Sequence, residues 1–163
     1  MDQGNTAFVL FSAAFVLLMT PGLAFFYGGL VKAKSVVSMM MLSFGSLGLI
    51  AVLWVLYGYA ITFADIDDAG WVGLPHIIGI DTNAIGLAAQ VADAADPAGA
   101  FPELAFVSFQ ATFAIITVAL ISGAIADRAK FGAWMVFAGL WATLVYFPVA
   151  GWVFNFIPSD QGG

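Results

Sequence analysis

Charged residues fall in only a few places along this chain, and long apolar runs separate them. No Asp, Glu, Lys or Arg occurs in 6–31, 35–64, 104–126 or 131–157. A helix needs about 20 residues to cross the hydrocarbon layer. Each run is therefore long enough to span once, and the second and fourth leave room for tilt. Strands of a membrane β-barrel would be about ten residues long and would alternate apolar with polar side chains. The stretch from Ile50 to Leu56 is apolar at every position. The pattern predicts an all-α integral membrane protein with four transmembrane helices. Between the second and third runs lies a polar connection, 65–103, that is rich in Gly, Ala and Asp and holds Pro75 and Pro97. Within it, 82–92 predicts a short helix capped by Thr82 or Asp81.

Composition narrows the class further. Of the 163 residues, 63% are hydrophobic and 9% charged, with a mean hydropathy of +1.03. A soluble domain carries about a quarter charged residues, so a water-soluble enzyme of ordinary build is excluded. A disordered chain is excluded by the same apolar content. A net charge of −6 with four basic residues speaks against nucleic acid as a partner. Cysteine is absent, which removes disulfides and thiolate chemistry. A single histidine, His76, provides no histidine cluster for a metal. His76 falls in the polar connection, where a solvated or capping role suits it. No Ser-His-Asp set and no carboxylate pair occurs in the runs. Neither an enzyme nor a cofactor is expected.

The basic residues orient the helices. Lys32 and Lys34 separate the first two runs, Arg128 and Lys130 separate the last two, and there are no others. The positive-inside rule makes both short turns cytoplasmic. The N-terminus, 65–103 and the C-terminal end then lie outside. The first run lacks the basic lead of a signal peptide and reads as a retained span. The outer connection carries Asp65, Asp67, Asp68, Asp81, Asp93, Asp96 and Glu103. It is either the plain complement of this topology or a field that concentrates cations over about 8 Å.

Some polar and small residues lie at membrane depth. Ser12, Thr20, Ser43, Ser46, Thr62, Ser108, Thr112, Thr117 and Ser122 are expected to bond between helices. Gln110 either lines a vestibule or clamps two helices. Phe109 and Phe113, four residues apart, share a helix face that is either a packing ridge or the wall of a narrow apolar pore. Trp71, Trp152 and Tyr27 suit an interfacial aromatic belt. Glycines such as Gly28, Gly45 and Gly123 permit close helix approach. Pro21 and Pro148 are expected to kink their spans.

Several motifs carry a family resemblance. Met19-Thr-Pro-Gly-Leu-Ala-Phe-Phe-Tyr-Gly-Gly-Leu30, followed by a basic turn and Ser38-Met39-Met40, resembles the first span of the ammonium transporter (Amt/Mep/Rh) family, in its bacterial branch. Trp54-Val-Leu-Tyr-Gly-Tyr59 resembles the end of its second span. Phe109-Gln-Ala-Thr-Phe-Ala-Ile-Ile-Thr117 and Gly123-Ala-Ile-Ala-Asp-Arg128 resemble its third, and Tyr146-Phe-Pro-Val-Ala150 its fourth. The resemblance implies that 1–163 is the first part of an eleven-helix bundle, a homotrimer with one pore per subunit in the cytoplasmic membrane. Ammonium, or its analogue methylammonium, would be captured at an outer aromatic site and deprotonated. Ammonia would then cross a hydrophobic pore lined by two histidines of later spans.

By the same resemblance, Phe113 is the outer gate, with Phe109 one turn before it and Gln110 beside them. Phe26 and Tyr27 line the inner part of the pore. Phe154 stands where a tryptophan is common in the outer cation site, and Gly151 where a histidine is frequent. The four helices wall only part of a pore and are not expected to conduct alone. Two other readings stay open at this level: an ammonium-sensing input module of a signalling protein, and a truncated, non-conducting subunit.

Overall fold

The computed structural model describes residues 2–64, 79–93 and 101–154. Four helices long and apolar enough to cross a membrane make up most of it: Gln3–Leu30, Ala33–Thr62, Glu103–Ile125 and Phe131–Phe154, here spans 1 to 4. Asp2 starts span 1 by accepting a hydrogen bond from the Gly4 amide at 2.9 Å. The span continues as α-helix through Pro21 to Leu30. Span 2 opens with a short 3₁₀ turn, Ala33–Ser35, before its α-helix Val36–Leu53.

Spans 2 and 4 each contain one wide π-turn, Trp54–Gly58 and Ala142–Tyr146. In these turns the amides of Tyr59 and Phe147 reach five residues back, to the carbonyls of Trp54 and Ala142. Such turns accommodate one extra residue in a helix. The expected bend at Pro148 therefore takes the form of a wide turn just before it. Proline has no amide to give the carbonyl four residues back, and a loosened turn relieves that mismatch.

Span 3 is the most enclosed. Ala105, Val107, Ala114, Ile115, Val118 and Ala119 are all buried along it. Spans 1 and 2 pack against it, and span 4 lies against span 2. Small residues make the close approaches. A Cβ on Gly123 would stand 2.6 Å from the Tyr27 ring, and one on Gly151 only 2.8 Å from the Thr62 carbonyl oxygen.

The two basic turns lie together at one end of the bundle. Ser35 and Ser38 on one side, with Asp127 and Ala129 on the other, border a single cavity of about 130 Å³. At the opposite end the chain after span 2 folds back. The Asp81 amide donates to the Ala60 carbonyl at 3.0 Å, and the Asp81 carboxylate caps Asn83 at 2.9 Å. A 3₁₀ stretch, Thr82–Leu87, broken at Ile85 and Gly86, leads into the short helix Ala88–Asp93. The Asp81 cap is present, but the helix expected over 82–92 is broken at Ile85 and Gly86, and only its second half, from Ala88, is α-helical. Trp71, His76, Asp65, Asp67, Asp68, Asp96 and the two prolines of the connection lie outside the described residues.

Most of the hydroxyls differ from expectation, whereas Ser46 does join two spans by accepting from Trp134. Ser46, Thr62, Ser108, Thr112, Thr117 and Ser122 each donate to a carbonyl three or four residues back in their own helix, at 2.6–2.9 Å. In apolar surroundings that carbonyl is the nearest acceptor, so the hydroxyl folds onto its own turn. Bonds between spans come chiefly from the larger side chains. Trp54 Nε1 donates to the Val107 carbonyl at 3.2 Å. Trp134 Nε1 donates to the Leu42 carbonyl and the Ser46 hydroxyl, both at 3.0 Å.

Candidate functional site: the span 3 aromatic face and its two ends

Span 3 carries the residues of most interest because it runs through the middle of the bundle. Phe109 and Phe113 meet edge to face, with ring centroids 5.0 Å apart and planes at 74°. That geometry suits two quadrupoles and leaves part of a π face free. Both rings are half-buried. Gln110, between them in sequence, is also half-buried, and among the described residues its amide makes no hydrogen bond. The clamp role is therefore not seen. Ten residues separate Phe113 from the start of the span, so the ring lies roughly 15 Å along the axis from Glu103.

Tyr27 and Phe26 sit at the basic end. The Tyr27 hydroxyl donates to the Leu120 carbonyl at 3.1 Å, and its ring lies over Gly123. Tyr27 thus ties span 1 to the end of span 3. Phe26 contacts the Tyr27 ring at 5.8 Å and is otherwise largely exposed, 62%. Phe154 is exposed at the last described turn of span 4 and makes no ring contact with Phe113 among the described residues. The structure thus brings Phe109, Gln110 and Phe113 together, places Phe26 and Tyr27 near the other end of the same helix, and leaves Phe154 apart.

The sequence reading missed the density of the other aromatic group. Trp54, Tyr59 and Phe63 of span 2 and its end form a chain of edge contacts with Phe106 and Phe147. In the sequence Glu103 is only one acid among the seven of the outer connection. Tyr59 Oη donates to Glu103 Oε1 at 2.7 Å, and Gln90 Nε2 reaches the same oxygen at 3.4 Å. The tyrosine of the Trp54–Tyr59 motif was the available signal, since a buried phenol at a span end needs an acceptor.

Comparison with known proteins agrees with this architecture. The profile of the Ammonium Transporter Family matches residues 7–159. An ammonium transporter of Mycobacterium tuberculosis is 55% identical over 99% of this chain and 36% of its own length. One from Bacillus subtilis is 45% identical over 95% of the chain and 36% of its own length. The chain thus spans little more than a third of these relatives. Among solved structures, that of Saccharomyces cerevisiae Mep2 aligns with a TM-score of 0.75 at 28% identity, covering 93% of this chain and 33% of the other. The chain belongs to the ammonium transporter family.

Proposed function

We propose that residues 1–163 are the first part of a membrane domain that carries ammonium across the cytoplasmic membrane, released as ammonia into an apolar pore. The carrying observation is the family match over 7–159, with relatives named ammonium transporters along nearly the whole chain. The wider reading includes eleven spans, a homotrimer, an N-terminus outside and basic turns in the cytoplasm. Both basic turns lying at one end of the bundle support that orientation.

The physics fits such a path. An unpaired ammonium ion in hydrocarbon costs several kcal/mol or more, so a site must replace its water or remove its charge. An aromatic face returns about 0.5–2 kcal/mol by cation–π attraction. Phe113, Phe109, Gln110 and Phe154 are proposed to form the outer binding site and gate, and Phe26 and Tyr27 the inner pore lining. A potassium ion cannot lose its charge, so an apolar passage beyond the rings favours ammonia.

Methylammonium uptake by the full-length transporter tests the assignment. Phe113→Ala is expected to change uptake, or selectivity over potassium, by roughly tenfold, the worth of one good cation–π contact. Phe137→Ala, which loses only a ring contact with Trp134, should have a smaller effect. Equal effects at both positions would mark general destabilisation, and the gate assignment would fall.

A further inference from the structure

The acidic end of span 3 holds a carboxylate with no cationic partner among the described residues. Glu103 is half-buried as the first residue of the span. Tyr59 and Gln90 both donate to one of its oxygens, Oε1. No lysine or arginine of this chain can neutralise it. All four sit in the two turns at the far end of the bundle, and span 3 alone is 23 residues long, about 34 Å.

A second observation points into the same place. Gln90 is 95% buried, given its 5% exposure, and its Oε1 has no hydrogen-bond partner. The Nε2 of that amide donates to Glu103 Oε1 at 3.4 Å, and amide geometry then keeps its oxygen within about 6 Å of the same carboxylate oxygen. Flipping the amide would worsen matters by setting carbonyl oxygen against carboxylate oxygen. Two acceptors within the reach of one ion, one charged and one buried, call for a donor-rich cation that can serve both.

We propose that Glu103 and the Gln90 amide oxygen form a binding site for a small monovalent cation with N–H donors, ammonium itself under the transport reading. It lies roughly 15 Å along the helix ahead of Phe113. There the ion exchanges part of its water for carboxylate and amide oxygens before it meets the aromatic rings. Tyr59 braces the carboxylate with its hydroxyl. The site deepens the proposed function and rests on it for the identity of the ion.

The test uses the full-length transporter in proteoliposomes, with methylammonium as the probe. Glu103→Gln keeps the shape and an acceptor for Tyr59 while removing the charge. The concentration for half-maximal uptake should rise about fivefold or more with the maximal rate kept, as expected for one lost charge-assisted contact. The rise should persist in about 0.5 M choline chloride, where a distant field is screened within a few ångströms. Gln90→Leu, which removes the amide oxygen and keeps the charge, should raise it less.

A fall in maximal rate with unchanged half-saturation would make Glu103 a brace for span 3 and overturn the site. A rise that vanishes in salt, or no change, would overturn it equally. A readout independent of transport separates the two proposals. Ammonium chloride, against choline chloride, should raise the Tm of the purified protein, and Glu103→Gln should reduce that rise. If the shift is present while wild-type uptake is absent, transport fails and the site stands. If the shift is absent or insensitive to the substitution, the site fails.

Discussion

Toward the basic end, Leu42, Ser46, Ile50 and Trp54 are buried at steps of four, as are Trp134, Ala138 and Ala142 in the helix packed against them. Toward the acidic end the span 4 series takes a step of five, to Phe147, and in span 2 Tyr59 is buried five residues on from Trp54, beside Gly58. In a regular helix five residues would carry Phe147 about 140° away from Ala142, off the buried face. The wide turns take up the extra residue and bring the buried face back into line. The cross-links differ as well. At the basic end, side chains bond mainly to backbone carbonyls, as Tyr27 does to Leu120 and Trp134 to Leu42, with the Ser46 hydroxyl a second acceptor for Trp134. In the acidic half Trp54 still bonds to the Val107 carbonyl, but two further cross-links join side chains to one another. Tyr57 pairs with Thr143 at 2.8 Å, across the two wide turns, and Tyr59 with Glu103. A backbone acceptor is present whatever the residue, whereas a side-chain pair fixes two identities. The half that holds the proposed mouth carries two such pairs, and in each the identity of both partners matters.

Single-residue deletions in span 4 of the full-length protein would break this comparison most sharply. Val136 lies in regular helix and Val145 in the wide turn, and both are exposed. Deleting Val136 rotates everything beyond it by about 100°, which turns Ala138, Ala142 and Phe147 away from span 2. Folded protein should be lost. Deleting Val145 should convert the wide turn to regular helix and keep Phe147 seated over Gly58, where a Cβ would lie 2.7 Å from its ring. Size-exclusion chromatography in detergent reads the outcome. Equal loss from both deletions would mean that the wide turn is not a one-residue insertion.

The four spans were legible because hydropathy depends only on an unbroken count of apolar residues. The wide turns were not. Leu144 and Val145 are as apolar as their neighbours, and the step of five emerges only with burial. Pro148 was the one hint, and it announced a disturbance without its form. Span 2 has no proline at all. The Phe109–Phe113 pair was legible from its spacing, although spacing could not separate a ridge from a wall. The Glu103 group was illegible because Gln90 and Tyr59 converge on it from 13 and 44 residues away. Only the return of the outer segment, through the Asp81 bond to Ala60, places them together.

A smaller effect is expected from glycines. Gly151 stands where a Cβ would meet the Thr62 carbonyl oxygen, a backbone atom, at 2.8 Å, while Gly48 has nothing within 4 Å. Gly151→Ala should cost about 1–3 kcal/mol by overpacking, read as a lower Tm of the full-length protein. Gly48→Ala should be neutral or stabilise by up to about 1 kcal/mol through helix propensity. An unchanged Tm for Gly151→Ala would mean that spans 2 and 4 stand farther apart at the acidic end.

The smallest effect separates the two kinds of cross-link. Tyr57→Phe and Thr143→Val each remove one partner of the 2.8 Å bond, and Thr143 also keeps its own helix acceptor, the Gly139 carbonyl, at 2.8 Å. A double-mutant cycle on Tm-derived stabilities should give a coupling of about 0.5–1.5 kcal/mol, in the range of polar contacts between membrane helices. The parallel cycle at the basic end, Ser46→Ala with Trp134→Phe, should give less. Trp134 Nε1 keeps the Leu42 carbonyl when the Ser46 hydroxyl is gone, so the first mutation leaves the indole satisfied. Equal couplings in the two cycles would show that the backbone acceptor offers Trp134 no such reserve, and the contrast between the two halves would reduce to their helical register.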